Sequence, residues 1–149
     1  MSSELSEAVV QSEVSTAPLT GLVPMIRVND VERSAAFYRL LGFEIGNRVP
    51  HTGPAHWAWL YAPKVDNWKH GPNLMVVRGE LPMPIPPDSQ SVLFYLYATD
   101  LQALRNQLIA EGVKVSEISY PEYLPKGEFR TQDPDGYTLM VAQSGPNTP

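Results

Sequence analysis

One pattern occurs twice in this chain: an apolar run, an aspartate, a helix-like stretch, a glycine and a strand-like segment. The aspartate and glycine are Asp30 and Gly42 in the first copy, and Asp100 and Gly112 in the second. Both pairs are separated by 12 positions, and the two copies are offset by 70 residues. A unit of this kind used twice predicts two stacked copies of one supersecondary module.

Each copy predicts a module of the order β-α-β-β-β. The carboxylate of Asp30 is placed to accept hydrogen bonds from the first turn of a helix at 31–41, and Gly42 is placed to end that helix in the left-handed conformation. The second helix is predicted at 100–111. Alternation of apolar residues and turn signals predict strands at about 21–28, 43–49, 56–62, 73–78, 91–98, 113–120, 128–132 and 137–142.

The modules are expected at about residues 20–80 and 90–143, in a single domain covering 18–144. Residues 82–87 hold four of the fifteen prolines. Such a stretch cannot join a helix or a central strand, so 81–90 is interpreted as a stiff linker between the modules. Residues 1–17 and 145–149 are interpreted as tails, the first of them flexible.

Composition excludes several classes of function. The chain has 149 residues, 43% of them hydrophobic, which suits one domain with a core and no membrane span. It has no cysteine and no positively charged start, so we expect a cytoplasmic protein. The net charge of −5 includes three acids in the first 17 residues, and the near-neutral remainder is not suited to nucleic acid.

Two segments resemble the vicinal oxygen chelate superfamily, which includes glyoxalase I, extradiol dioxygenases, fosfomycin resistance enzymes and bleomycin resistance proteins. Residues 30–43 are similar to its first-module signature, and residues 129–137, with the turn Asp133-Pro134-Asp135-Gly136, to its closing hairpin. The resemblance covers about residues 20–143. It implies an α+β fold in which two βαβββ modules form a curved mixed sheet around a cleft.

The resemblance also implies where a divalent metal would be held, by His and Glu side chains from four strands. Carried over by motif spacing, these places fall on apolar residues, namely Val23, Met75, Leu93 and Met140. Divalent cations of this group need oxygen or imidazole ligands. The neighbouring positions are no better, and the spacing of His51, His56 and His70 matches no ligand motif. We therefore predict no metal and no cofactor.

Strand alternation indicates which side chains face the cleft, because residues two apart lie on the same side of a sheet. An aromatic and apolar surface with a few charged groups is typical of a small-molecule pocket, although each ring alone fits a core position equally well. The predicted ligand-binding residues are Arg27, Trp57, Trp59, Met75, Leu93, Tyr95, Tyr97, Glu128, Arg130 and Met140.

Three functions are compatible with these residues. The favoured one is a metal-independent binding protein resembling the bleomycin resistance branch, which sequesters an aromatic or drug-like ligand and forms a homodimer. Bleomycin itself is disfavoured, because the body of the chain is not strongly acidic. The alternative is a glyoxalase-like lyase or isomerase with an altered site, in which Glu128 or His56 acts as general base. A non-catalytic interaction module would instead have its cleft filled by its own side chains.

Overall fold

The computed structural model describes residues 18–63, 71–79, 89–146 and 148. Within them the chain forms seven strands and two helices in an order that repeats. In sequence these are β1 (Met25–Val28), α1 (Val31–Arg39), β2 (Glu44–Val49), β3 (Trp57–Tyr61), β4 (Asn73–Arg78), β5 (Phe94–Ala98), α2 (Leu101–Ala110), β6 (Glu128–Gln132) and β7 (Thr138–Gln143).

The second sheet repeats the strand order of the first without a counterpart of β2, which confirms the two-module fold. The first sheet is ordered β1-β4-β3-β2, and the second is ordered β5-β7-β6. In both, the pair formed by the first and last strands of the module is parallel and the other pairs are antiparallel. The register repeats as well: Met25 is paired with Met75 in the first module, and Tyr95 with Met140 in the second.

The segment at 113–120 differs from the strand expected there. It does not form a strand and is paired with the second sheet at isolated bridges, at Val115 and Ser119. Between them the hydroxyl of Ser116 accepts a hydrogen bond from the backbone N–H of Arg130 at 2.8 Å. The hydroxyl oxygen of Ser116 therefore accepts the hydrogen bond that a backbone carbonyl would accept in a regular strand pair. Competition of this kind between side chain and backbone interrupts regular pairing.

Both helices begin and end as the sequence predicts, to within two residues. The carboxylates of Asp30 and Asp100 accept from the backbone N–H three residues further on, at 3.1 and 3.0 Å. Gly42 and Gly112 follow the helices with φ of 94° and 80°, in the left-handed region where a Cβ is unfavourable. No helix in the described part of the chain is long and apolar enough to cross a membrane.

The core forms between the sheets and the helices, because β1, β3 and β4 of the first sheet bury alternate residues. One face packs under α1, whose side chains Tyr38 and Phe37 contribute to the same cluster. The residues buried on that face are Ile26, Val28, Ala58, Leu60, Leu74 and Val76. Leu139, Phe94 and Leu96 of the second module also contact this cluster, so the two modules share a core.

The hairpin turn between β6 and β7 docks on α1 through a buried carboxylate. Asp135 is 1% exposed, and it accepts from the backbone N–H of Asn29 at 3.1 Å and from the Ser34 hydroxyl at 3.3 Å. The guanidinium of Arg33 completes the set with an ion pair at 3.0 Å. A buried carboxylate is stable only when it is paired and hydrogen-bonded, so this turn has one defined position on the first module.

A second buried carboxylate in the same turn is bonded to a tyrosine of α1. The hydroxyl of Tyr38 donates to Asp133 at 2.7 Å. Burial, followed by the charge and hydrogen bond of Asp133, raises the pKa of Tyr38 well above 10.0. Burial also raises the pKa of Asp133, although hydrogen bonds from Tyr38 and two backbone N–H groups act in the opposite direction.

Replacing Tyr38 by Phe tests this contact. We expect Tyr38→Phe to lower the free energy of unfolding by about 1–3 kcal/mol, because a buried carboxylate oxygen loses its donor. Chemical denaturation measures the change. The matched control is Tyr120→Phe, which removes a hydroxyl from an exposed ring.

The same variant has a pH signature. The native state keeps the Tyr38 proton at pH values where the unfolded chain has lost it. The stability that this contributes is complete below pH 10.0 and is lost as the pH rises above that value. Tyr38→Phe should therefore remove part of the alkaline loss of stability, and equal alkaline profiles for both proteins would refute the assignment.

Candidate functional site

The face of the first sheet opposite α1 carries large side chains that are only partly covered. We call this surface the aromatic face of the first module. Its residues are Met25, Arg27, Trp57, Trp59, Tyr61, Met75 and Val77, of which Met25 is exposed. Trp59 is paired with Met75, and Met75 with Met25, so indole and thioether groups form one row across three strands. A soluble sheet face without a partner is usually polar, which makes this surface a candidate binding site.

Trp59 is held in place by a hydrogen bond and by ring stacking. Its indole N–H donates to the side-chain oxygen of Asn73 at 2.7 Å. Its ring stacks on Tyr61 with ring centroids 5.0 Å apart and an angle of 20° between the planes. The amide of Asn73 is itself oriented by donation to the carbonyl of Gly71 at 3.0 Å. A ring fixed in this way loses little conformational entropy when a ligand stacks on it.

Gly46 on the neighbouring strand β2 makes room for this ring. The register of the β2–β3 pair shifts between Ile45 and Asn47. A Cβ built on Gly46 would lie 2.4 Å from two ring carbons of Trp59 and 3.0 Å from Tyr61. Gly46 is not among the predicted site residues, although a lone glycine inside a strand is a signal of close approach.

Gly46→Ala should displace Trp59. We expect a loss of about 1–3 kcal/mol of stability, as for other overpacked sites, together with a change in Trp near-UV circular dichroism. Gly21→Ala is the control, because a Cβ at Gly21 meets nothing within 4 Å. An unchanged near-UV spectrum in Gly46→Ala would contradict the close packing.

The second module has a corresponding face, which contains Tyr95, Tyr97, Glu128, Arg130 and Met140. Across the three strands, Tyr95 lies in a row with Met140 and Arg130. Tyr97 lies in the neighbouring row with Ala142 and Glu128. The rings of Tyr95 and Tyr97 lie 6.4 Å apart at an angle of 29°. We call this set the aromatic face of the second module. Leu93 lies just before β5 and is 53% exposed.

Glu128 is the buried charged group of this face. It is 5% exposed, and its Oε1 accepts from the Tyr123 hydroxyl at 3.2 Å. The hydroxyl of Tyr95 lies 3.2 Å from that of Tyr123. This hydrogen bond to Tyr123, then burial and the neighbouring Glu128, raise the pKa of Tyr95 well above 10.0. Tyr123 was not predicted, because a loop residue has no periodic pattern to indicate the face that it contacts.

The candidate general bases are not brought together. His56 is exposed at the start of β3, and no hydrogen bond or ion pair among the described residues joins it to Glu128. His51 is also exposed, and His70 lies outside the described residues.

The residues at the superfamily's metal positions do not fit a divalent cation. Met75 and Met140 lie on β4 and β7, while Val23 and Leu93 precede β1 and β5. All four side chains are apolar and offer no oxygen or imidazole ligand. In the described ranges, no three His, Asp or Glu side chains are grouped so that they could hold a metal ion.

The predicted ligand-binding residues do not line a single cavity within one chain. A cavity of about 840 Å³ lies between the modules and is lined in part by Leu93, Tyr95 and Tyr97, together with Phe43 and Leu104. The other predicted ligand-binding residues do not line this cavity. They belong to the two aromatic faces, which the cavity does not connect.

This fold and these faces define a two-module α+β protein with an apolar, aromatic candidate site. A profile of the Glyoxalase/Bleomycin resistance protein/Dioxygenase superfamily matches residues 21–141. The chain therefore belongs to this superfamily. A sequence search of curated proteins found no significant match.

Solved structures with the same fold include antibiotic-binding proteins. One is a bleomycin-binding protein complexed with bleomycin, with a TM-score of 0.62 and 20% identity over 83% of this chain and 98% of the other. TnmS3, an antibiotic-binding protein from Streptomyces sp. CB03234, has a TM-score of 0.63 and 24% identity over 84% and 95%. The bleomycin-binding protein from Streptomyces verticillus, complexed with copper(II)-bleomycin, has a TM-score of 0.58 and 20% identity over 84% and 96%. At these identities the likeness establishes the fold.

Proposed function

We propose that this protein is a metal-independent binding protein that sequesters an aromatic or drug-like small molecule. The observation that carries the proposal is the pair of aromatic faces, where partly exposed Trp, Tyr and Met side chains lie on the sheet surfaces opposite the core. Two structural neighbours that are bleomycin-binding proteins and one that is an antibiotic-binding protein support the same class.

The physical basis of binding is stacking and apolar burial. A flat ligand covered by these rings gains roughly 25 cal/mol for each Å² of apolar area removed from water, before the costs of association. Trp59 is already held by Asn73 and Tyr61, so little ordering is left to occur on binding.

Two arginines add a polar preference. Arg27 and Arg130 are exposed on the two aromatic faces, and neither guanidinium forms an ion pair with a described residue. A guanidinium offers a planar set of donors that fits a carboxylate or another polar edge. We therefore include in the proposal that part of the ligand carries such an edge.

The proposal includes a cytoplasmic homodimer. The two aromatic faces are not joined by the cavity within one chain, so we propose that a second chain completes the site. Apolar side chains at the starts of the edge strands β1 and β5 are exposed, Leu22 at 94% and Leu93 at 53%. Uncovered edges with apolar side chains favour association with a second copy.

A thermal-shift screen of aromatic small molecules, with and without divalent metals, tests the binding function. We expect a stabilising ligand whose effect does not depend on metal. Trp57→Ala and Tyr95→Ala should each weaken its binding about tenfold while the fold is kept, because each removes a stacking surface. Ile109→Ala, an exposed truncation on α2, is the control. If no ligand class shifts the melting temperature and both variants unfold, the rings serve the core alone.

Light scattering at micromolar concentration tests the dimer. We expect twice the chain mass for the unaltered protein and the chain mass for Leu93→Glu, because a carboxylate at an apolar interface would be desolvated. Ile109→Glu introduces the same charge on α2 and should leave the dimer intact. A monomeric unaltered protein would reject this part of the proposal.

A further inference from the structure

Glu128 has a buried oxygen with no hydrogen-bond partner in the described part of the chain. The Tyr123 hydroxyl donates to the Oε1 atom of Glu128, whereas Oε2 is inaccessible to solvent and accepts no hydrogen bond from a described residue. An unsatisfied buried polar atom is unfavourable, and more so for a charged group. Glu128 is also remote from the two carboxylates of the hairpin turn, so it has no part in docking the modules. Its position therefore requires an explanation other than stability.

The hydrogen bonds around Glu128 can be arranged in only one order of donors and acceptors. The Tyr123 hydroxyl uses its single proton to donate to the Oε1 atom of Glu128. It can then only accept from Tyr95, so the Tyr95 hydroxyl donates to Tyr123 across 3.2 Å. Both phenol protons are used in this chain of bonds. Neither ring has a donor left for Oε2.

The neighbours of Glu128 on the sheet are a small side chain and an arginine that is not paired with it. In the cross-strand row only the methyl group of Ala142 separates Glu128 from Tyr97. Arg130 is two residues away on the same face, and its guanidinium makes no ion pair with Glu128. Tyr123 is 69% exposed and donates to Glu128 across 3.2 Å, so we infer that its ring moves aside when a ligand group reaches the carboxylate.

We propose that Glu128, with the rings of Tyr95, Tyr97 and Tyr123, forms the subsite for a protonated amine of the ligand. The amine donates to Oε2, and the aromatic rings around it supply cation–π attraction. This inference rests on the proposed function and deepens it. The ligand is then an aromatic molecule with a cationic nitrogen at the second module, in addition to any polar edge near the arginines.

The test compares two probes that differ in one group. 2-Naphthylmethylamine is protonated at neutral pH, and 2-naphthylmethanol is its neutral counterpart. Isothermal titration calorimetry should show the amine binding about tenfold or more tightly to the unaltered protein. Glu128→Gln should bring the two affinities within about twofold, with the alcohol unaffected. Glu111→Gln removes one exposed carboxylate on the far end of α2 and should keep the full preference.

A second measurement locates the amine without any variant. Nuclear Overhauser contacts from the amine methylene to the rings of Tyr95 and Tyr123 are expected in the unaltered protein. Contacts restricted to the tryptophans of the first module would overturn the subsite. Equal affinities for amine and alcohol, or a preference that survives in a folded Glu128→Gln, would also overturn it while leaving the binding function standing. Failure of the amine to bind would overturn the subsite, and the proposed function falls only if the wider screen of aromatic molecules also finds no ligand.

Discussion

The arrangement of this protein depends on two carboxylates in one hairpin turn. Asp133 and Asp135 are buried against α1, where they accept hydrogen bonds from Tyr38, Ser34 and the backbone N–H of Asn29. Each bond joins residues about 100 positions apart, so they fix one module against the other. Since an unpaired buried carboxylate is strongly unfavourable, no other docking of the turn satisfies both groups. The shared core of Tyr38, Phe94 and Leu139 forms around this contact.

Docking through α1 has a consequence for function. It places the helix side of each sheet in the interior and leaves the opposite face of the first sheet, and Tyr95 and Tyr97 of the second, only partly covered. Those faces hold tryptophan, tyrosine and methionine where a soluble sheet usually carries polar residues. The same strands thus provide a core on one side and a candidate binding surface on the other.

The candidate surface is prepared in different ways in the two modules. In the first, Gly46 has no side chain, and this allows the Trp59 ring to lie close to β2. In the second, a carboxylate is buried among tyrosines with one oxygen unsatisfied. The apolar side chains at the superfamily's metal positions do not offer ligands for a divalent cation. Within a fold that serves many chemistries, such departures carry the functional information.

The amino-acid sequence by itself determined the repeat, the helix caps and the alternation within strands. Aspartate before a helix, glycine after it and period-two patterns act through neighbouring residues, so they can be identified without a structure. Only the tertiary structure showed that Trp59 depends on Gly46 and Asn73, and that Tyr123 reaches Glu128. These contacts join strands or loops whose register no local pattern specifies. The same reason explains why 113–120 is held by bridges: Ser116 competes for the ladder only after β6 is beside it.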